Sequence, residues 1–327
     1  MNRSVSGRQA LAWAFCALSA PVVIRVAGLS WSWVLPAGAF AGSWLLALAR
    51  LRARAGMSAA EACRIAFGQR FGAAAAAASI VWLVLAAAKA ANLARVLFAQ
   101  TVAAPAAPAV LLALGAAGSA KGTAACARAA GVWALLTGVL LSLVMAGACG
   151  MVQTAWMAPW GGAEQLPPAL VWLLTPAALI YLPTETRGGR QTAVAAAALA
   201  LLPAGFSLAV SSGLSPQLAE KDPFALYALT KSISLFSVMQ RFEALLSVGA
   251  MVGLCMLLTL LFCAAQELCR TFIPHAPTAL PAAFGAAAYG AGFVAERIPA
   301  WAGMTGTAVF WGVFPAAALW VVARKKG

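Results

Sequence analysis

Charged residues are scarce in this chain. Asp, Glu, Lys and Arg make up 9% of the 327 residues, whereas soluble domains carry about a quarter. Hydrophobic residues make up 63%, and no hydrophilic block is long enough to build a domain outside a bilayer. The shortage of charge argues against a soluble protein. It predicts one integral membrane domain covering residues 1–327.

Groups suited to catalysis or metal binding are also few. The chain has one histidine, His275, so a metal centre or a catalytic triad is hard to assemble. It contains no H-E-x-x-H, no G-x-S-x-G and no phosphate-cradling glycine-rich loop. The seven cysteines have no C-x-x-C spacing and lie mostly in apolar segments, as is typical of small buried side chains. We expect no enzyme activity, no cofactor and no metal.

Long apolar runs fill most of the chain. A membrane-spanning helix needs about 20 apolar residues, or fewer where the helix is broken. Ten runs meet this condition, which predicts an all-α polytopic membrane protein. The predicted spans are residues 10–29, 32–49, 74–97, 102–118, 131–151, 168–184, 192–212, 243–266, 278–295 and 302–322.

Basic residues predict the orientation of these spans. With ten spans, 15 of the 22 Lys and Arg residues fall in loops on the side that holds both termini. They are Arg3, Arg8, Arg50, Arg52, Arg54, Arg64, Arg70, Lys121, Arg128, Arg187, Arg190, Arg270, Arg324, Lys325 and Lys326. The positive-inside rule therefore makes both termini cytoplasmic and places Ser215–Arg241 outside. Topology and lipid headgroups, rather than nucleic acid, account for the formal charge of +14.

The most polar sustained stretch is Ser215–Leu245. Asp222 followed by Pro223 is typical of a helix start. Apolar residues then recur at helical spacing, at Leu226, Leu229, Ile233 and Phe236. Thr230, Lys231, Ser232 and Ser234 are predicted to lie mostly off that stripe. We expect a short amphipathic helix at the membrane surface or against a partner.

The same stretch carries a family resemblance. The order DPF, KSIS and F-x-x-x-x-R-x-E-A-L, over Asp222–Phe224, Lys231–Ser234 and Phe236–Leu245, resembles the spore-germination permease family. These proteins are B subunits of Ger-type germinant receptors, within the amino acid-polyamine-organocation transporter superfamily. A weaker resemblance includes S-x-R-Q at Ser6–Gln9. It implies a germinant-sensing protein of the inner spore membrane, acting with receptor A and C subunits on an amino acid or similar nutrient.

Interrupted helices predict the ligand site. Secondary transporters often consist of two inverted repeats and bind ligands at broken helices in corresponding positions. A five-plus-five division, with repeats at 10–151 and 168–322 around the segment 213–241, pairs breaks in helices 1 and 6. The candidate ligand-binding residues are Ser19, Ala20, Pro21, Thr175 and Pro176. The freed N–H and C=O groups could bind the carboxylate and ammonium of a zwitterion. Alternatively, the prolines merely kink these helices.

Charged residues near the predicted spans are further candidates. Arg25 is expected to face a cavity, a carbonyl cluster or an acid, or to extend outward to the headgroups. Arg241 and Glu243 begin the eighth span and are candidates for a structural or a gating role. Lys89 and Arg95 are expected to extend toward the outer interface.

Two hypotheses of different classes follow from these features. One is the germinant-sensing subunit of a receptor. The other is a stand-alone amino acid permease that works by alternating access. Solute flux by the protein alone favours the permease, whereas dependence on partner subunits for stability favours the receptor.

Overall fold

The structure is a computed structural model that describes residues 5–99, 102–183, 202–222, 224–232, 242–273, 275 and 277–326. These residues fold into helices, and no β-strand occurs among them. Within the described ranges, six helices are long and apolar enough to cross a membrane: Gly7–Ile24, Trp31–Ala55, Ala59–Leu97, Thr123–Cys149, Glu243–Phe272 and Ala300–Lys325. The chain is thus all-helical in its described part and has the helices of an integral membrane protein.

Thirteen α-helices occur in the described residues. The first five are α1 (Gly7–Ile24), α2 (Trp31–Ala55), α3 (Ala59–Leu97), α4 (Ala107–Ala120) and α5 (Thr123–Cys149). Then follow α6 (Leu166–Leu173), α7 (202–213), α8 (Pro216–Lys221), α9 (Ala225–Ser232), α10 (Phe242–Phe272) and α11 (Leu280–Arg297). The last two are α12 (Ala300–Ala308) and α13 (Phe314–Lys326), which the π-helical turn Val309–Val313 joins.

Local sequence signals fix several helix ends. The S-x-R-Q motif is a capping box, because the Ser6 hydroxyl accepts a hydrogen bond from the Gln9 backbone N–H and the Gln9 side chain accepts one from Ser6 N–H. Ser58 and Glu61 form the same box at the start of α3. Gly56 ends α2 with φ 68°, a conformation that glycine adopts without steric cost.

The predicted arginine-rich loop between the second and third spans is largely helical, so the loop prediction is wrong. Arg52 and Arg54 lie in the last turn of α2, and Arg64 and Arg70 lie on α3. A kink at Gly68 (φ 72°, ψ 179°) divides α3 there. The polar character of this segment reflects helix ends rather than an extended loop. Of the predicted seventh span, residues 192–201 lie outside the described residues, and the rest falls in α7.

The helices pack around α3 and α10. α10 contacts α3, α4 and α5, and α1 lies between α10 and α5. Trp13 of α1 is fully buried, and its indole N–H donates to the Met256 carbonyl of α10 at 2.9 Å. This buried contact joins α1 to α10.

The polar stretch after α7 folds onto the chain itself. Asp222 Oδ1 accepts a hydrogen bond from Phe224 N–H at 2.8 Å, and α9 follows, in agreement with the predicted helix start. Leu226 and Leu229 are buried, as the stripe predicts, and Thr230, which was predicted to lie mostly off that stripe, is buried as well. α9 packs against α10 and the 3-10 turn Val26–Gly28. Ile233, Ser234 and Phe236 lie outside the described residues.

Candidate functional site

The first helix is interrupted later than the sequence predicts. α1 runs through Ser19, Ala20 and Pro21 to Ile24, so the predicted break at Ser19–Pro21 is wrong. Proline keeps a helical φ, and neighbouring helices within a membrane can accommodate the hydrogen bond that it removes and the crowding of its ring against the preceding turn. The helix gives way at Arg25, and a 3-10 turn follows.

Ser19 and Ala20 form part of a helix contact. A Cβ atom built on Gly253 of α10 would lie 2.7 Å from Ser19 Oγ and 2.9 Å from Ala20 Cβ. The Ser19 hydroxyl donates to the Cys16 carbonyl of its own helix at 2.7 Å. Ser19 also borders a crevice of about 10 Å³, which offers no more room than a single water needs. These residues pack α1 against α10.

The second interruption coincides with its predicted residues. α6 ends at Leu173, and a 3-10 helix, Thr175–Tyr181, continues the chain. Thr175 and Pro176 are buried where the helix type changes, and the Thr175 hydroxyl donates to the Trp172 carbonyl at 2.7 Å. The α6 helix therefore ends inside the protein, at the position expected for a broken helix.

Arg52 satisfies the end of this 3-10 helix. Its guanidinium donates to the carbonyls of Leu179 (3.1 Å) and Ile180 (3.4 Å), and also to that of Leu182. The Arg52 side chain is 7% exposed, so its predicted place in a cytoplasmic loop is wrong. A buried cation of α2 thus holds the segment that follows the break in helix 6.

A cavity of about 570 Å³, here called the vestibule, lies beside the end of α1. Its walls come from the turn that follows α1 and from α3, α6, α8, α11 and α12, and they carry charges of both signs. The charged lining residues are Arg25, Lys89, Glu220, Lys221, Asp222 and Glu296. Proteins place small-molecule ligands in cavities of this size. The vestibule is therefore the candidate binding site.

Polar residues of α3 reach the vestibule at helical spacing. Lys89 and Asn92 are three residues apart and both line it. The Asn92 amide donates to the Gly292 carbonyl of α11 at 3.1 Å. Farther along α3, Arg95 pairs with Glu296 at 3.2 Å. Lys89 therefore lines the cavity, and its predicted direction toward the outer interface stays a prediction.

Gly303 of α12 leaves space for the Lys89 ammonium. A Cβ atom on Gly303 would lie 3.5 Å from Lys89 Nζ and 3.3 Å from Val171 Cγ2. Lys89 and Val171 also line a second, narrow crevice of about 20 Å³, which extends to Thr175. Lys89 consequently stands where the vestibule meets the space beside the break in helix 6.

Two indole groups border that crevice. The Nε1 atoms of Trp82 and Trp311 are buried and have no hydrogen-bond partner among the described residues. The crevice has room for about one water, which could accept these hydrogen bonds. Sequence reasoning missed Lys89, Asn92 and both tryptophans as site residues. The signal that could have found Lys89 and Asn92 is their shared face on a helix that is otherwise apolar.

Of the three charged residues predicted to have a structural or gating role, the structure describes Arg25 and Glu243. Arg25 lines the vestibule, as one of its predicted alternatives required. Glu243 lies in the first turn of α10, and its backbone carbonyl accepts a hydrogen bond from the Ser247 hydroxyl. Arg241 lies outside the described residues.

No protein-family model matches this chain, and a search of curated proteins returns no match.

Proposed function

We propose that this protein binds a small zwitterionic nutrient, such as an amino acid, in the vestibule and acts as the germinant-sensing subunit of a spore germination receptor. In this proposal it works in the inner membrane of a bacterial spore, together with the A and C subunits. The observation that carries the binding proposal is a 570 Å³ cavity with charges of both signs beside two interrupted helices. The family resemblance supplies the receptor and its partners.

The distribution of charge supports a zwitterionic ligand. Arg25 directly follows α1 and Lys89 lies on α3, whereas Glu220 lies on α8 and Asp222 directly follows it. A carboxylate near the cations and an ammonium near the acids would each gain a charged partner in a partly water-excluded space. An amino acid carries both groups within a few ångströms. The vestibule therefore suits an amino acid better than a sugar or an apolar solute.

The proposed fold is the five-plus-five inverted-repeat transporter, with ten spans and both termini cytoplasmic. On that topology the vestibule opens outward, because α8 and α9 follow the seventh span. An impermeant thiol reagent on intact cells should then label Ser215→Cys but not Gly188→Cys. Labelling of Gly188→Cys but not of Ser215→Cys would show that the orientation is the opposite of the proposed one.

A stand-alone amino acid permease is the second candidate. The observation that favours it is the crevice that continues from the vestibule at Lys89 toward Thr175, since transport requires a route past the midplane. Uptake of a radiolabelled amino acid by vesicles containing this protein alone would select the permease. Loss of the protein when the A and C subunits are absent would select the receptor.

Thermal stabilisation by amino acids tests the binding proposal. At 100 times its dissociation constant a ligand adds about 2.7 kcal/mol to stability. At least one of the twenty L-amino acids should therefore raise the melting temperature of the purified protein. Ala300→Trp, which fills the vestibule wall, should abolish the shift. The control Gly290→Trp, at an open position on α11, should keep it. If none of the twenty stabilises the protein, the proposal is wrong.

A further inference from the structure

Arg25 and Lys89, two of the three cations that line the vestibule, have no counter-ion among the described residues. Neither side chain makes a hydrogen bond or an ion pair within that part of the chain. Arg95, two turns beyond Lys89 on α3, instead pairs with Glu296. Glu296 is therefore paired with Arg95 and does not neutralise Lys89. Both cations remain available to an anion that enters the cavity.

The surroundings of Lys89 make an empty site unfavourable. Its side chain is half-buried on a helix that is long and apolar enough to cross a membrane. Val171, Trp172 and Gly303 border the space around it. An uncompensated cation in such surroundings is costly, and intramembrane charges generally mark ligand or ion pathways. A bound anion would remove this cost.

We propose that Arg25 and Lys89 form a carboxylate subsite at the inner end of the vestibule. This inference rests on the proposed function and specifies which end of the ligand is recognised. The Arg25 guanidinium offers paired donors that suit a planar carboxylate, and the Lys89 ammonium adds a point charge. Side chains, rather than backbone N–H groups of a broken helix, therefore carry the recognition.

The acids at the end of α8, Glu220 and Asp222, restrict the anion to a single negative charge. Glu220 and Asp222 line the same cavity as the two cations. They would repel the second charge of a phosphate, but they would attract the ammonium of an amino acid. Asp222 Oδ1 already accepts a hydrogen bond from Phe224 N–H, which fixes the orientation of this carboxylate. The ligand class is thus a monocarboxylate with a cationic group at its other end.

Carboxamide analogues test the subsite on the unaltered protein. Each L-amino acid that stabilises the wild type is compared with its carboxamide, which keeps the ammonium but lacks the negative charge. We expect the carboxamide to bind at least about tenfold more weakly, equivalent to about 1.4 kcal/mol. Equal affinities of acid and amide would overturn the subsite, whether or not any variant folds.

Charge-removing variants locate the carboxylate. Lys89→Met and Arg25→Gln should each weaken amino acid binding by about 10- to 100-fold, and should leave the weak binding of the carboxamide unchanged. The controls Lys231→Met and Arg297→Gln remove equal charges that stack on Tyr227 and Phe293 outside the vestibule, and they should bind as the wild type does.

The two proposals fail in different ways. If Lys89→Met and Arg25→Gln bind amino acids normally while Ala300→Trp does not, the vestibule is the site and the carboxylate lies elsewhere in it. If no amino acid stabilises even the wild type, both proposals are wrong. Lys89→Arg keeps the positive charge and should retain most of the affinity, which separates loss of charge from loss of packing.

Discussion

Arg52→Met should lower the free energy of unfolding by about 1.5–3 kcal/mol, the range for losing hydrogen bonds from a charged donor. The Arg52 guanidinium donates to the Leu179, Ile180 and Leu182 carbonyls, at the end of a buried 3-10 helix. Methionine fills much of the same volume but donates nothing, so these carbonyls would be left without their charged donor. The amount of folded protein after membrane extraction and its melting temperature should both fall.

Arg54 provides the matched control for Arg52. It lies on the same last turn of α2 and is exposed, so Arg54→Met should change the stability by no more than about 0.5 kcal/mol. Arg52→Lys should fall between the two, because lysine keeps the charge but lacks the planar fork of donors. Equal melting temperatures for Arg52→Met and Arg54→Met would show that the carbonyl contacts contribute nothing to stability.

Arg52 also illustrates what a topology rule cannot detect. The positive-inside rule counts basic residues near span ends, and Arg52 lies within three residues of Ala55, the last residue of α2. Its buried position depends on carbonyls about 130 residues away in the chain. That acceptor cluster exists only after the tertiary fold forms, so no local pattern around Arg52 could indicate it.

Local signals predicted more of the fold. The helical class followed from composition, because apolar runs of this length need internal backbone hydrogen bonding in a bilayer. The helix start at Asp222 was predicted from capping chemistry, which acts over two residues and needs no tertiary contact. The burial of Thr230 was not predicted; its hydroxyl donates to the Tyr227 carbonyl within its own helix. That bond makes a polar residue tolerable on a buried face.

The two predicted helix breaks were located correctly only in part, whereas the predicted candidate Arg25 does line the vestibule. At Thr175 and Pro176 the helix does change type. At Pro21 it does not, because a proline inside a packed membrane helix can be accommodated by its neighbours. The interruption at Arg25 had no glycine or proline to mark it. Proline position alone therefore could not separate a tolerated helix residue from a functional break.

The contact between α1 and α10 leads to the second large expected effect. Gly253→Ala should destabilise the protein by about 1–3 kcal/mol, the usual cost of overpacking. The added Cβ would meet Ser19 Oγ at 2.7 Å, Ala20 Cβ at 2.9 Å and the Cys16 carbonyl oxygen at 3.0 Å. A backbone oxygen and a short side chain cannot move aside easily, so α1 itself would have to shift. A larger Gly253→Leu should prevent stable packing of α1.

Gly290→Ala is the control, since it makes the same change in another helix. A Cβ atom at Gly290 meets nothing within 4 Å among the described residues, and alanine is the better helix former by up to about 1 kcal/mol. This variant should therefore keep or slightly raise the melting temperature, while Gly253→Ala lowers it. Arg25 directly follows the last residue of α1 and lines the vestibule. A shift of α1 should therefore also weaken amino acid binding there. Equal melting temperatures for the two alanine variants would mean that α1 can move away from α10 without loss, and that the contact does not fix the position of Arg25.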